Sequence, residues 1–144
     1  MPPLSLVNTS DLAFGAIVPG TTAGTVTIDE TTGARSPTGG VTLVGGTVGR
    51  ATFTGNTGTQ AAVLFQLGSG TVTLDRAGGG GSMNASLVLE TLPGTFLFNT
   101  NTVKLVFMND NQVYSIHVGG TLSVAANQAK GLYSGTFTLT ANYY

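Results

Sequence analysis

Few residues in this chain are able to do chemistry. His117 is the single histidine, six carboxylates are spread along the sequence, and cysteine is absent. A histidine acts as a base or ligand when a carboxylate orients it. His117 sits in Val113-Tyr-Ser-Ile-His-Val118, where Tyr114, Ile116 and Val118 share one face, and no acid lies near it in sequence. The expectation is a surface histidine on the polar side of a strand. Asp29-Glu30 is the only adjacent acidic pair, and on a strand the two side chains point opposite ways. They read as turn and strand-end acids rather than the paired carboxylates of a glycosidase. Asn109-Asp110-Asn111 has the oxygens but not the acidic density of a calcium loop, so a hairpin turn is expected there. Gly78-Gly-Gly-Gly81 lacks the Lys-Ser/Thr ending of a phosphate loop and reads as a flexible connection. No catalytic set, cofactor or metal is expected, and the chain is not read as an enzyme.

Composition narrows the remaining classes. Apolar residues make up 41% of 144 positions but charged ones only 8%, where about 25% is usual for a soluble domain. Five Lys+Arg oppose six Asp+Glu. Nucleic acid is therefore not an expected partner, because phosphate binding needs clustered cations. A surface made of Thr, Ser, Asn and Gly repels its own kind weakly and suits packing against copies of itself. No apolar run approaches the ~18 residues of a membrane span. Met1-Pro2-Pro3-Leu4 has neither the basic start nor the apolar core of a secretory leader.

The elements that must position these residues are strands. Short apolar-alternating runs recur, bounded by Gly, Pro, Asn or Asp. They are expected near 4–7, 12–17, 24–29, 40–44, 50–54, 62–67, 70–75, 83–89, 94–98, 103–108, 112–118, 121–124 and 134–143. Gly45-Gly46 and Gly119-Gly120 are read as breakers. Ala125–Lys130 is the one helix-like piece, about a turn long. The pattern is all-β: an immunoglobulin-like sandwich of mostly antiparallel strands, complete or one strand short, forming one domain over 1–144. Residues 1–10 form its N-terminal arm or first strand.

The end of the chain is the most regular part. In 131–144, Phe137, Leu139, Ala141 and Tyr143 alternate with Thr136, Thr138, Thr140 and Asn142. That is a strand with one face on a core and one in water. At a sheet edge, such a strand is a template for another chain. Tyr133, just ahead of it, is expected to pin a neighbouring loop through its hydroxyl, as a tyrosine corner does.

Ordered pieces of the sequence resemble a family of small exported bacterial β-sandwich proteins classed as a domain of unknown function and similar in style to fimbrial subunits. They are Pro3-Leu-Ser-Leu-Val-Asn-Thr-Ser-Asp-Leu-Ala-Phe-Gly15, Ile17-Val-Pro-Gly20, Gly24-Thr-Val-Thr-Ile28, Gly39-Gly-Val-Thr-Leu43, Val118-Gly-Gly-Thr-Leu-Ser-Val124 and Ala126 to Leu139 with its Gly-Leu-Tyr-Ser-Gly signature. The end also resembles a chaperone–usher pilin, with penultimate Tyr143 and with Gly131 fourteenth from the end. That likeness implies a sandwich short of one strand, with Phe137, Leu139, Ala141 and Tyr143 lining a groove that a neighbour fills. It implies a homopolymer at the bacterial cell surface or outside it, with a periplasmic chaperone and an outer-membrane usher as further partners. Pilin-like subunits usually carry an alternating apolar arm before the first strand. Here only Met1-Pro2-Pro3 precedes Leu4, so Leu4, Leu6 and Leu12 are the residues left to form a short arm, which Pro2 and Pro3 shorten. The leading expectation is a filament subunit paired through Leu4, Leu6, Phe137, Leu139, Ala141 and Tyr143. The rival is a monomeric adhesin-like or matrix sandwich that binds glycan or protein through its loops.

Overall fold

The computed structural model describes residues 4–144, and the expected shortening by Pro2 and Pro3 lies outside them. Fourteen strands account for the regular structure: β1 (Val7–Ser10), β2 (Ala13–Val18), β3 (Gly24–Ile28), β4 (Arg35–Gly39), β5 (Thr42–Gly49), β6 (Ala51–Asn56), β7 (Ala61–Leu67), β8 (Thr71–Arg76), β9 (Ser82–Leu89), β10 (Thr95–Asn99), β11 (Val103–Met108), β12 (Val113–Val124), β13 (Tyr133–Ser134) and β14 (Leu139–Tyr143). Every pairing is antiparallel. The fold is an all-β sandwich with a curled sheet, as the alternation predicts.

β12 is the spine. Its first half pairs β6 from Val113 to Val118, and its second half pairs β3 from Gly120 to Val124. β9 runs along the opposite edge. Side chains on one face of the spine serve two cores in turn. Tyr114, Ile116 and Val118 enter the first, together with Phe53, Phe65, Leu87, Leu89, Val106 and Met108. Leu122 and Val124 enter the second, with Phe14, Val26, Ile28, Val41, Met83 and Ala85. β9 makes the same division, Leu87 and Leu89 on one side and Met83 and Ala85 on the other. The sheet β10-β11-β7-β14 covers the first core, and the pair β2-β5 belongs to the second. Arg35 on β4 steadies that pair, its Nη1 donating to the Phe14, Ala16 and Gly45 carbonyls at 3.0, 3.3 and 3.2 Å.

Gly119-Gly120 does not break a strand: 112–118 and 121–124 are one continuous β12. A Cβ at Gly119 would lie 2.3 Å from the Ile28 carbonyl oxygen, and one at Gly120 2.5 Å from that of Ser86. The glycines let backbones crowd where β3, β6 and β9 meet the spine. β4 was not expected because Arg-Ser-Pro-Thr-Gly is polar and holds a proline. Among the described residues it is an edge strand paired with β3 alone, where proline is tolerated. Ala125–Lys130 is a turn without helix, with Asn127 at φ 55°. Asn109-Asp110-Asn111 joins β11 to β12, which lie in different sheets, so it is not a hairpin. The expected strand 134–143 divides: Tyr133 and Ser134 pair with β8, then the chain crosses to β7 from Leu139 onward.

Tyr114 ties the N-terminal segment to the first core. Its ring meets Phe65 edge to face at 5.3 Å, and its hydroxyl donates to the Ser5 carbonyl. Burial, with Tyr143 nearby, pushes the phenol up to about 12. An unfolded tyrosine ionises near 10, so between pH ~10 and ~12 the unfolded chain binds fewer protons than the folded one. Tyr114 therefore contributes stability that is constant below pH ~10 and lost as pH rises through that window. Urea midpoints measured from pH 8 upward should fall less steeply above ~10 in Tyr114→Phe than in wild type.

Candidate functional site

β14 exists because four alternating residues find an apolar floor. Leu139 is buried, while Phe137, Ala141 and Tyr143 are partly buried against the first core. Thr136, Thr138, Thr140 and Asn142 are exposed. The ladder to β7 is regular over five pairs, Leu139↔Leu67 through Tyr143↔Val63. The Phe137 ring meets Phe53 edge to face at 6.3 Å, and the Tyr143 hydroxyl accepts the Gly58 N–H at 3.3 Å. Gly131, at φ 147°, starts the segment where a Cβ would lie 2.7 Å from Arg76 Nε. Tyr133 anchors the preceding turn, its hydroxyl donating to the Ala129 carbonyl at 2.7 Å and accepting from Gln128 at 3.1 Å.

The other edge of β14 pairs with no strand among the described residues. Thr138 offers its carbonyl to Gly68 N–H, and Tyr144 donates its N–H to Ala62. Even-numbered residues thus face β7, and the backbone groups of Leu139 and Ala141 point to the open side. The opposite edge of this sheet is treated differently. In β10, Thr95 pairs with Val106 and Asn99 with Lys104, so Phe96, Leu97 and Phe98 span the single residue Leu105. A bulge of this kind blunts an edge against strand addition. One edge is interrupted by a bulge and the other keeps an unbroken register.

The N-terminal segment lies on the same core without pairing to β14. Leu4 and Leu6 are partly buried against it, as are Phe137, Ala141 and Tyr143. Ser5 N–H donates to the Asn56 carbonyl at 3.1 Å, and β1 continues along β6. Farther along, β2 and the 128–133 segment bound an open cavity of about 570 Å³. Its floor is Leu74, Met83, Leu122 and Val124, and Leu12, Phe14 and Tyr133 stand at its sides. All six residues therefore touch the first core, but Leu4 and Leu6 lead into β1 of one sheet, whereas Phe137 leads into β14 of the other and Leu139, Ala141 and Tyr143 lie in it.

His117 is not the unpartnered surface residue expected from sequence. Its Nδ1 is 2.7 Å from Glu90 Oε1, and both side chains are 15% exposed. Arg50 Nη1 lies 3.6 Å from Glu90 Oε2 and donates to the Glu30 carbonyl at 2.9 Å. Glu90 is 27 residues from His117, and only the pairing of β9 with β12 brings them together. The trio ties the end of β9 to the middle of β12 and, through Arg50, to the 29–33 turn. Glu90→Ala should cost about 1.5–3 kcal/mol, as charged hydrogen bonds do, seen as a lower urea midpoint at unchanged slope. Nearby, Lys104 Nζ donates to Thr91 Oγ1 at 2.8 Å and to Asn99 Oδ1. Burial holds its ammonium below the usual lysine range, and Glu30 opposes that.

Asp110 Oδ1 accepts the Gln60 N–H. Gly78, Gly79 and Gly80 all have positive φ in the turn between β8 and β9. Among the described residues no three His, Asp or Glu side chains gather as a metal site, and no helix is long and apolar enough to cross a membrane. No curated protein and no solved structure matches the chain. Residues 4–143, from the partly buried arm to the end of β14, match the domain of unknown function DUF4402, and the chain belongs to that family.

Proposed function

We propose that the chain is a structural subunit of a bacterial surface filament, assembled when an extended strand from a neighbouring subunit pairs with β14. The observation that carries this reading is the open, regular edge of β14 beside a partly exposed apolar floor. Strand addition uses both: the ladder gives affinity, and alternate side chains fill apolar sites along the edge. The incoming strand would lie along Phe137, Leu139, Ala141 and Tyr143, with Leu4 and Leu6 on its far side. The cavity between β2 and 128–133 would receive its continuation. A chaperone able to cover the edge before assembly, and an usher, fit the same picture.

Negative-stain electron microscopy of the purified chain, beside its mass by light scattering, tests the proposal. Ordered filaments or a concentration-dependent ladder of oligomers are expected. A uniform, heat-stable monomer at every concentration would overturn it.

A further inference from the structure

We propose that the outer face of the β10-β11-β7-β14 sheet is a second self-contact, in which one copy's Phe96-Leu97-Phe98 bulge packs on the same face of another. This face is opposite the core that β14 helps to cover. Val106 and Met108 point into that core, so Leu105 and Phe107 point outward. By the same alternation Tyr144 is outward, next to Ala62 and hence in line with Phe107. Phe96, Phe98 and Phe107 are 39–46% exposed, and Leu97 and Tyr144 are 72% and 67% exposed. Phe98 and Tyr144 meet edge to face at 5.9 Å. Leu105, which the bulge spans, is fully buried although it points outward.

Burying Leu105 does not account for Leu97. It stands at the apex of the bulge, mostly in water, with φ at 59°. A leucine there carries a backbone cost that asparagine or glycine would largely avoid. An exposed apolar side chain held at such a cost is matched to something outside the chain.

Charge and area identify the occupant. The outward positions of β7, β11 and β14 (62, 64, 66, 103, 105, 107, 140, 142 and 144) carry no charged side chain, and neither does the bulge. The surface that fits must be uncharged and must offer apolar side chains beside a few neutral polar ones such as Gln66, Thr140 and Asn142, a description the face itself satisfies, and two-fold pairing sets the same patch on both copies. Four strands of about five residues present roughly 300 Å² of face, so a pair buries on the order of 600 Å². Stable dimers need about 1,200 Å² or more. The contact is therefore weak between free subunits and becomes effective only when repeated along two assemblies; that last consequence rests on the filament reading, the contact itself does not.

Nuclear magnetic resonance shifts should be followed from ~20 μM to ~1 mM, where a weak dimer is populated, in an Ala141→Pro background that blocks the β14 edge. Concentration-dependent shifts at 96–98, 107 and 144 are expected. Leu97→Asn should weaken them at least about tenfold while leaving the melting temperature unchanged or higher. Shifts that do not vary with concentration, or that gather at 137–143, would overturn the proposal. So would a lower melting temperature in Leu97→Asn, the mark of a residue that merely packs within its own chain. Phosphatidylcholine vesicles or a neutral oligosaccharide moving the same resonances in dilute protein would replace self-contact by lipid or sugar. Loss of filaments in the background variant with this contact intact would leave the two surfaces separately established.

Discussion

Replacing Ala141 by proline is expected to leave a folded monomer that no longer assembles. Ala141 lies in mid-β14, opposite Phe65, and its N–H points away from β7. Proline there removes one donor from the open edge and sets its ring in the path of an incoming strand, yet takes nothing from the ladder to β7. Thr140, just before it, is already extended, as a residue preceding proline prefers to be. One lost hydrogen bond of about 1 kcal/mol would weaken assembly roughly fivefold, and interruption of the new ladder at its centre raises that to well over tenfold. Thr140→Pro is the control of opposite sign. Its N–H belongs to the β7 ladder, so it should cost the monomer about 3 kcal/mol or more. Light scattering reads the first effect and thermal unfolding by circular dichroism the second.

Phe65→Ala should be the most damaging truncation at this site, lowering stability by about 3–5 kcal/mol. Phe65 is fully buried in mid-β7, between Lys104 on one neighbouring strand and Ala141 on the other. Its ring also meets Tyr114, whose hydroxyl holds Ser5. The resulting cavity would undercut β14 and the N-terminal segment together. Against a total of about 5–15 kcal/mol for a domain of this size, that loss is at least about a fifth of the stability, and it should appear as a clearly lowered melting temperature. Gln66→Ala, one position along and exposed on the outer face, should change stability by no more than about 0.5 kcal/mol. Equal losses in the two variants would mean that β7 does not anchor the site through its inner face.

What was legible in the sequence was what depends on near neighbours. The alternation from Phe137 to Tyr143 reappears as alternating burial because period two is a property of the extended chain itself. Tyr133 could be read as a loop anchor because its partner is only four residues away. What failed depends on contacts distant in sequence. Gly119-Gly120 looks like a turn until Ile28 and Ser86 are seen crowding it. His117 looks solitary until the β9 pairing delivers Glu90. The break between β13 and β14 was equally hidden. Thr136 and Thr138 keep the strand pattern, but the chain there passes from one sheet to the other. The open edge could be anticipated only as a condition, since whether a strand is terminal in its sheet depends on all the others.

Amide hydrogen exchange at Leu139 and Ala141 tests the central claim most directly. In dilute monomer their N–H groups face the open edge and should exchange quickly, while Thr140 and Asn142, bonded to β7, exchange slowly. On assembly the odd-numbered pair should become protected by at least about a hundredfold, the signature of a new ladder on that edge. Assemblies in which Leu139 and Ala141 exchange as fast as in the monomer would contradict strand pairing at β14.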